Sequence, residues 1–161
     1  MKARVIVASN RASAGVYADT SGPLLAEGLR ELGFDVDDPT VVPDGDPVAA
    51  ALREAVAAEA DVVITSGGTG LTSTDRTPEA TAAILDREVP GLAEAVRAYG
   101  ARQTPMAALS RGLVGVAGRT LIVNLAGSSG AARDGLAVLG PILRHAVAQL
   151  SDSDHAREES T

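Results

Sequence analysis

The sequence predicts a three-layer α/β/α sandwich with a mostly parallel central sheet and one antiparallel hairpin, and three observations carry that prediction. Short β-branched apolar runs alternate with amphipathic stretches in the order strand, helix, strand, helix, strand, which calls for parallel pairing through right-handed crossovers. Two helix starts, Asp46-Pro47 and Thr77-Pro78, share the same cap-then-proline chemistry. Two later apolar runs are separated only by Gly118-Arg119, the spacing of a tight hairpin.

Residues 3–9 (ARVIVAS) are apolar and β-branched and end at Asn10 and Arg11, so they read as a buried first strand. Thr20 or Ser21 caps the next helix, which keeps Leu24, Leu25, Gly28, Leu29 and Leu32 on one face and stops at Gly33. Residues 35–42 give a second strand. Asp46 then caps a helix in which Val48, Leu52 and Val56 recur every four residues through Ala60, and residues 62–65 form the third strand. A helix follows Thr77-Pro78, and another over 92–99 is stopped by Gly100. Residues 113–117 and 120–125 make the hairpin. Pro141 lacks an N–H, so the remainder reads as one helix from about Ser129 to Leu139 and another after Gly140. Residues 1–150 are thus expected to form one α/β domain, and residues 151–161 a polar, frayed tail.

Composition narrows the function classes. A chain of 161 residues supports one core but not separate substrate and nucleotide domains. The net charge of −7 argues against a nucleic-acid surface, which needs a basic stripe to release counterions. No apolar run approaches the roughly 20 residues of a membrane span, and the amino terminus lacks a basic segment and cleavage site, so a cytoplasmic protein is expected. With no cysteine and only two histidines, His145 and His155, any metal is expected to be oxygen-ligated Mg²⁺. Phe34, Tyr17 and Tyr99 are the whole aromatic complement, so a flat ligand must be held by backbone and aliphatic contacts.

An acidic protein can still bind an anion if backbone N–H groups, helix N-termini or Mg²⁺ supply local positive potential. The strongest such signal is Thr65-Ser66-Gly67-Gly68-Thr69-Gly70, directly after the third strand. There, glycines let the backbone approach a phosphate beyond the carboxyl end of a parallel strand. No lysine follows, so it is not a Walker A loop, and its spacing is not that of a dinucleotide fingerprint. Asp75, on the way into the next helix, reads either as a Mg²⁺ ligand or as an auxiliary helix cap. Asp44, in Pro43-Asp44-Gly45 at the end of the second strand, reads either as a second ligand or as part of a β-turn. Asn10 and Arg11 end the first strand with amide and guanidinium groups suited to an anion. Ser110 and Arg111, then Asn124 with Gly127 and Ser128, supply two further small-residue turns. Arg111 reads equally as a phosphate clamp or a solvated charge, and neither histidine is placed to act as a base.

Taken in order, Ser66-Gly67-Gly68-Thr69-Gly70, residues 75–81 (DRTPEAT), Ser110-Arg111-Gly112 and Asn124 with Gly127-Ser128 resemble the molybdopterin-binding domain of the MoaB/Mog proteins. Residues 11–22 resemble that family's first loop, with Asn10 where an aspartate is common, and the resemblance spans nearly the whole chain. Ala126 and Ser129 replace residues that are often proline there. The resemblance implies a homotrimer that transfers AMP from ATP to the terminal phosphate of molybdopterin and releases pyrophosphate. The residues themselves suggest Mg²⁺ held by Asp44 and Asp75 to position ATP, and a downstream molybdenum-insertion protein is a possible partner. A carrier that binds the pterin without turnover is the alternative. A domain of CinA-like nucleotide-processing proteins is a third reading, weakened because this chain lacks their usual second domain.

Overall fold

The computed structural model describes residues 1–151; residues 152–161, including His155 and nearly all of the expected tail, lie outside it. Strand β1 (Lys2–Ala8) is followed by a single helical turn α1 (Asn10–Ser13), helix α2 (Ser21–Glu31), strands β2 (Asp35–Val36) and β3 (Thr40–Val42), and helix α3 (Asp46–Ala57). Then come β4 (Val62–Ser66), α4 (Thr77–Ala82), β5 (Arg87–Glu88), α5 (Pro90–Ala101) and a 3₁₀ turn (Pro105–Leu109). Strands β6 (Val114–Ala117) and β7 (Thr120–Leu125) precede helix α6 (Ser129–Leu150). Among the described residues the strands form one sheet in the order β2-β1-β4-β7-β6-β5, with β3 also on β1. Pairing is parallel from the β2/β3 edge to β7 and antiparallel from β7 through β6 to β5, as the alternation and the hairpin predict.

Because strand side chains alternate, β1, β4 and β7 feed two cores. Val5, Val7, Ile64, Val123 and Leu125 pack beneath α2, α5 and α6, against Leu25, Leu29, Leu92, Leu139 and Leu143. Ile6, Val63 and Ile122 face the other way, against Val48 and Leu52 of α3, with Ala80 of α4 packed alongside. The three-layer sandwich follows directly from this two-sided burial.

Several local expectations are corrected. The expected strand 35–42 is broken into β2 and β3, which pair with opposite halves of β1. Pro39 cannot donate to the ladder, the Val36 carbonyl is taken by two N–H groups of Arg30 at 3.2 and 2.9 Å, and Asp37 turns out to Arg4 at 3.4 Å. The first loop is not irregular: the Ser9 hydroxyl accepts from Ala12 N at 3.1 Å and starts α1. Gly45, at φ 91°, occupies the cap position assigned to Asp46, which lies inside the helix with Pro47. Helix α5 continues through Gly100, which is buried against Ala107. Strand β5 is an addition to the expected elements, since a two-residue polar edge strand carries no periodic signal.

The largest correction is α6, one continuous helix of 22 residues through Pro141. Magnitudes explain it. A proline inside a helix costs about 3 kcal/mol, whereas burying a leucine contributes about 1.5–3 kcal/mol. Leu139 and Leu143, on either side of Pro141, are both fully buried, while Pro141 itself faces solvent. Two core leucines outweigh one missing hydrogen bond. Pro141→Ala restores a donor for the Ala137 carbonyl and is expected to raise the unfolding free energy by about 1–2 kcal/mol, after allowing for the greater freedom of the unfolded chain. Urea denaturation checks this, and a lower midpoint would show that the packing requires the proline bend.

Candidate active site

Strands β4 and β7 lie side by side in parallel, with Thr65 opposite Asn124 and Ser66 opposite Leu125. Their two outgoing loops therefore leave the sheet at one level, the edge where parallel sheets hold ligands. Thr65 and Ser66 do not reach the ligand edge. The buried Thr65 hydroxyl accepts from Asn124 Nδ2 at 3.0 Å, and Ser66 donates to Ser21 at 2.8 Å on the other face. Asn124 is likewise committed. Its Nδ2 also reaches Thr81 at 3.0 Å and its Oδ1 accepts from Leu113 N at 3.1 Å, so it ties three elements together.

The loop itself begins at Gly67, at φ 98°, where a Cβ would stand 2.3 Å from the Ala8 carbonyl. At Gly68, φ 67°, a Cβ would meet Thr77 Oγ1 at 2.2 Å and Asp44 Oδ1 at 2.7 Å. Both positions demand glycine twice over, by dihedral angle and by space. The N–H groups of Gly68, Thr69 and Gly70 have no protein acceptor among the described residues. Across the cleft, Gly127 packs against Gly67, and the Ser128 hydroxyl accepts from Ala131 N at 3.0 Å to cap α6. The Ser129 hydroxyl meets the Thr20 hydroxyl at 3.0 Å, which anchors the loop. Two sets of exposed amides thus face one space: the glycine loop and the first turn of α6.

Arg111 has a different job from an anion clamp. Its Nε donates to Gly70 O at 2.8 Å and its Nη2 to Asp75 O at 2.8 Å, and a fork of N–H groups closes on Glu79. The guanidinium is therefore a strut that fixes the glycine loop to the Asp75 loop. Glu79 is held below the usual carboxylate range chiefly by its hydrogen bond to Arg111, and Arg111 is raised in return. Asp75 closes its own turn, Oδ2 accepting from Thr72 N at 3.0 Å and Thr72 Oγ1 at 2.7 Å.

Asp44 and Thr77 stand behind Gly68. Asp44 Oδ1 and Thr77 Oγ1 are both buried without a hydrogen-bond partner. Burial pushes the Asp44 carboxyl up, the neighbouring Asn10 backbone N–H pulls it back, and the charge of Asp75 raises it further. Asn10 holds this loop, its Oδ1 accepting from Asp44 N at 3.0 Å, while Arg11 stacks over the Tyr17 ring at 5.1 Å. An unsatisfied carboxylate within electrostatic reach of a second one is the arrangement that a hard cation would relieve. Among the described residues no three acidic, histidine or cysteine side chains cluster. Mg²⁺ fits that sparse set, because it commonly takes one or two carboxylates and completes its shell with water and phosphate oxygens.

Between the glycine loop, α5, the 3₁₀ turn and α6 lies a cavity of about 520 Å³. Gly67 to Gly70, Asp75, Ser110, Asn124, Gly127 and Ser128 line it, whereas Asn10, Arg11, Asp44, Thr65, Ser66 and Arg111 lie outside its wall. Its far side comes from residues that sequence reasoning did not single out: Arg97, Gln103, Thr104, Met106, Leu109 and Asp134. Gly130, Ala131 and Asp134 fall at helical spacing and could have been read as one face of α6; the α5 and 3₁₀ contributions carry no such pattern.

This fold and cleft define an α/β protein with a ligand-sized cavity beyond the carboxyl ends of its parallel strands. The family model described as a probable molybdopterin binding domain matches residues 4–145, and the chain belongs to that family. The Molybdenum cofactor biosynthesis bifunctional protein of Chlorobaculum tepidum is 39% identical over 94% of this chain and 49% of its own length. The chain spans about half the length of the first curated relatives it matches. The Molybdopterin adenylyltransferase of Helicobacter pylori is 35% identical over 89% of this chain and 84% of its own. The solved Mog protein of Mycobacterium ulcerans superposes with a TM-score of 0.89 at 53% identity, covering 92% of this chain and 98% of that one.

Two measurements check the electrostatics. Arg111→Ala removes charged hydrogen bonds to two loop carbonyls and is expected to lower the melting temperature. It should speed amide exchange over residues 67–76 more than in β1; equal protection throughout would remove the strut. Asp44 has a raised carboxyl, so the folded state holds its proton more tightly than the unfolded chain and loses stability as pH rises through its titration. Asp44→Asn is therefore expected to raise the melting temperature at neutral pH, with the gain vanishing below the carboxylate range. A gain independent of pH would contradict this assignment.

Proposed function

We propose that this chain transfers the adenylyl group of Mg-ATP to the terminal phosphate of molybdopterin, giving adenylylated molybdopterin and pyrophosphate. The observation that carries the reading is the convergence of unpaired loop and helix amides with Asp44 and Asp75 at one sheet edge. The curated relatives named for molybdopterin adenylyl transfer, at 34–37% identity, support the same chemistry.

In this reading an oxygen of the pterin phosphate attacks the α-phosphorus of ATP, a new P–O bond forms, and the bond to the β-phosphate breaks with pyrophosphate leaving. A phosphate monoester is largely ionised near pH 7, so the attacking oxygen needs no strong base. That suits a site whose wall contains no histidine. What remains is alignment and charge. The amides of Gly68, Thr69 and Gly70 hold an anion without moving, since Arg111 and the Gly67 contacts hold their loop. The first turn of α6 offers the second set of donors. Asp44 and Asp75 would hold Mg²⁺, which supplies charge neutralisation to the triphosphate. Assembly as a homotrimer, a cytoplasmic location and hand-over to a molybdenum-insertion protein complete the proposal on the strength of the family resemblance.

Asp75→Asn keeps both hydrogen bonds from Thr72 possible but removes the charge. Folding and molybdopterin binding are expected to survive, while adenylyl transfer falls about 100-fold or more and partly recovers at high Mg²⁺. Formation of adenylylated molybdopterin from labelled ATP measures it. Normal turnover of the variant at limiting Mg²⁺ would remove Asp75 from the metal site, and molybdopterin binding by the unaltered protein without turnover would make the chain a carrier.

A further inference from the structure

Most arginines around the ligand edge are spent on the protein itself. Arg111 is taken up by Gly70, Asp75 and Glu79, Arg97 donates to Gly112 O at 2.8 Å, and Arg11 lies over the Tyr17 ring. Arg76 differs. Among the described residues its side chain makes no hydrogen bond, no ion pair and no ring contact, although Asp75 precedes it in the chain. Its charge acts on Glu79, three residues on, but as the last of the causes that hold that carboxylate down, the hydrogen bond from Arg111 being the first.

The guanidinium is nonetheless placed. Its Nη1 stands 3.8 Å from the Cβ position of buried Gly45, the residue after Asp44, so it reaches from the start of α4 to the loop that follows β3. This corner lies outside the wall of the 520 Å³ cavity, which includes neither Arg76 nor Asp44. It also holds the two buried oxygens without partners: Asp44 Oδ1 and the hydroxyl of fully buried Thr77, both converging on Gly68. Unpaired groups of both kinds, oxygens and a cation, thus meet in one place.

A guanidinium that stays unpaired so near two carboxylates suits a ligand with several anionic oxygens, because its planar fork of N–H groups bridges the oxygens of one phosphate or of two adjacent ones. In adenylyl transfer the bond between the α-phosphorus and the bridging oxygen breaks, and its electron pair stays on that oxygen. Negative charge therefore gathers on the departing pyrophosphate. Backbone amides bring no net charge to meet it, and Arg76 has no protein bond to give up in turning toward it.

We infer that Arg76 is a substrate-binding residue that holds the β- and γ-phosphates of the nucleotide, and the pyrophosphate released from them, on the Asp44 side of the glycine loop. This rests on the reading of the site as one for adenylyl transfer. It adds a specificity to that reading, a nucleoside triphosphate over a monophosphate.

The test uses inorganic pyrophosphate with Mg²⁺, and AMP, as probes for calorimetry on the unaltered protein, Arg76→Gln and Arg76→Lys, with thermal melting as control. The Arg76 side chain is exposed and unpartnered, so melting should hold in both variants. Pyrophosphate affinity is expected to fall about 10- to 100-fold in Arg76→Gln, the range for charge-assisted hydrogen bonds, and to recover in part in Arg76→Lys, which keeps the charge without the fork. AMP affinity should change less than twofold, and the KM for ATP should rise while the KM for molybdopterin stays as it was. Unchanged pyrophosphate affinity in Arg76→Gln, or an equal loss for AMP, overturns the inference and leaves the proposed activity standing. Pyrophosphate bound through Arg76 by an unaltered protein that forms no adenylylated molybdopterin would remove the activity and keep the phosphate site. Binding of neither ATP nor pyrophosphate by the unaltered protein would overturn both.

Discussion

The ligand edge of this protein hangs on the buried amide of Asn124. One side chain uses two N–H groups and one carbonyl to join β7 to Thr65 of β4, to Thr81 of α4 and to the backbone entering β6. Every loop that matters leaves from one of those elements: the glycine loop from β4, the Gly127 turn from β7, and the Asp75 segment into α4. A buried polar group is stabilising only when its hydrogen bonds are made. Here all the donors of the amide are used, which fixes the loops relative to one another before any ligand arrives.

Arg111 extends this frame outward. It binds the carbonyls of Gly70 and Asp75 and closes on Glu79, so the protein's best-placed cation is structural. The consequence is that anion recognition in the cavity falls to backbone amides, which carry no net charge and need no counterion. That reconciles a chain of net charge −7 with the proposed phosphate site. The local cost is concentrated at Asp44 and Thr77, whose oxygens are buried without partners behind Gly68. Unsatisfied groups of this kind are tolerated where function requires them, and their place beside the proposed metal site gives that tolerance a reason.

Much of this is legible in the residues. The β-branched runs are each short, bounded by turn residues and buried on both faces, so strands β1, β4, β6 and β7 stand out. The loop 67–70 stands out because three glycines beyond a strand end mark a backbone that must turn tightly and let a ligand come close. Other features are invisible for physical reasons. The break at Asp37 to Pro39 depends on Arg30 reaching across to the Val36 carbonyl. The continuity of α6 depends on Leu139 and Leu143 having a core to enter, which local propensity does not know. Thr65, Ser66 and Asn124 carry the residue types of a binding site, yet their side chains turn into the layers of the fold.

By itself the sequence determined the alternation of elements, the two-sided burial of the central strands and the positions where only glycine can turn, because periodicity and backbone dihedral preference are local properties. Tertiary structure decided the partners. It set Arg111 on the carbonyls of Gly70 and Asp75 across a gap of 41 and 36 residues, brought Gly127 onto Gly67, and placed Asp134 across a cavity from the glycine loop. Hydrogen bonds and cavities depend on distances between segments remote in the chain, and those distances exist only once the sheet has brought β4 and β7 into register.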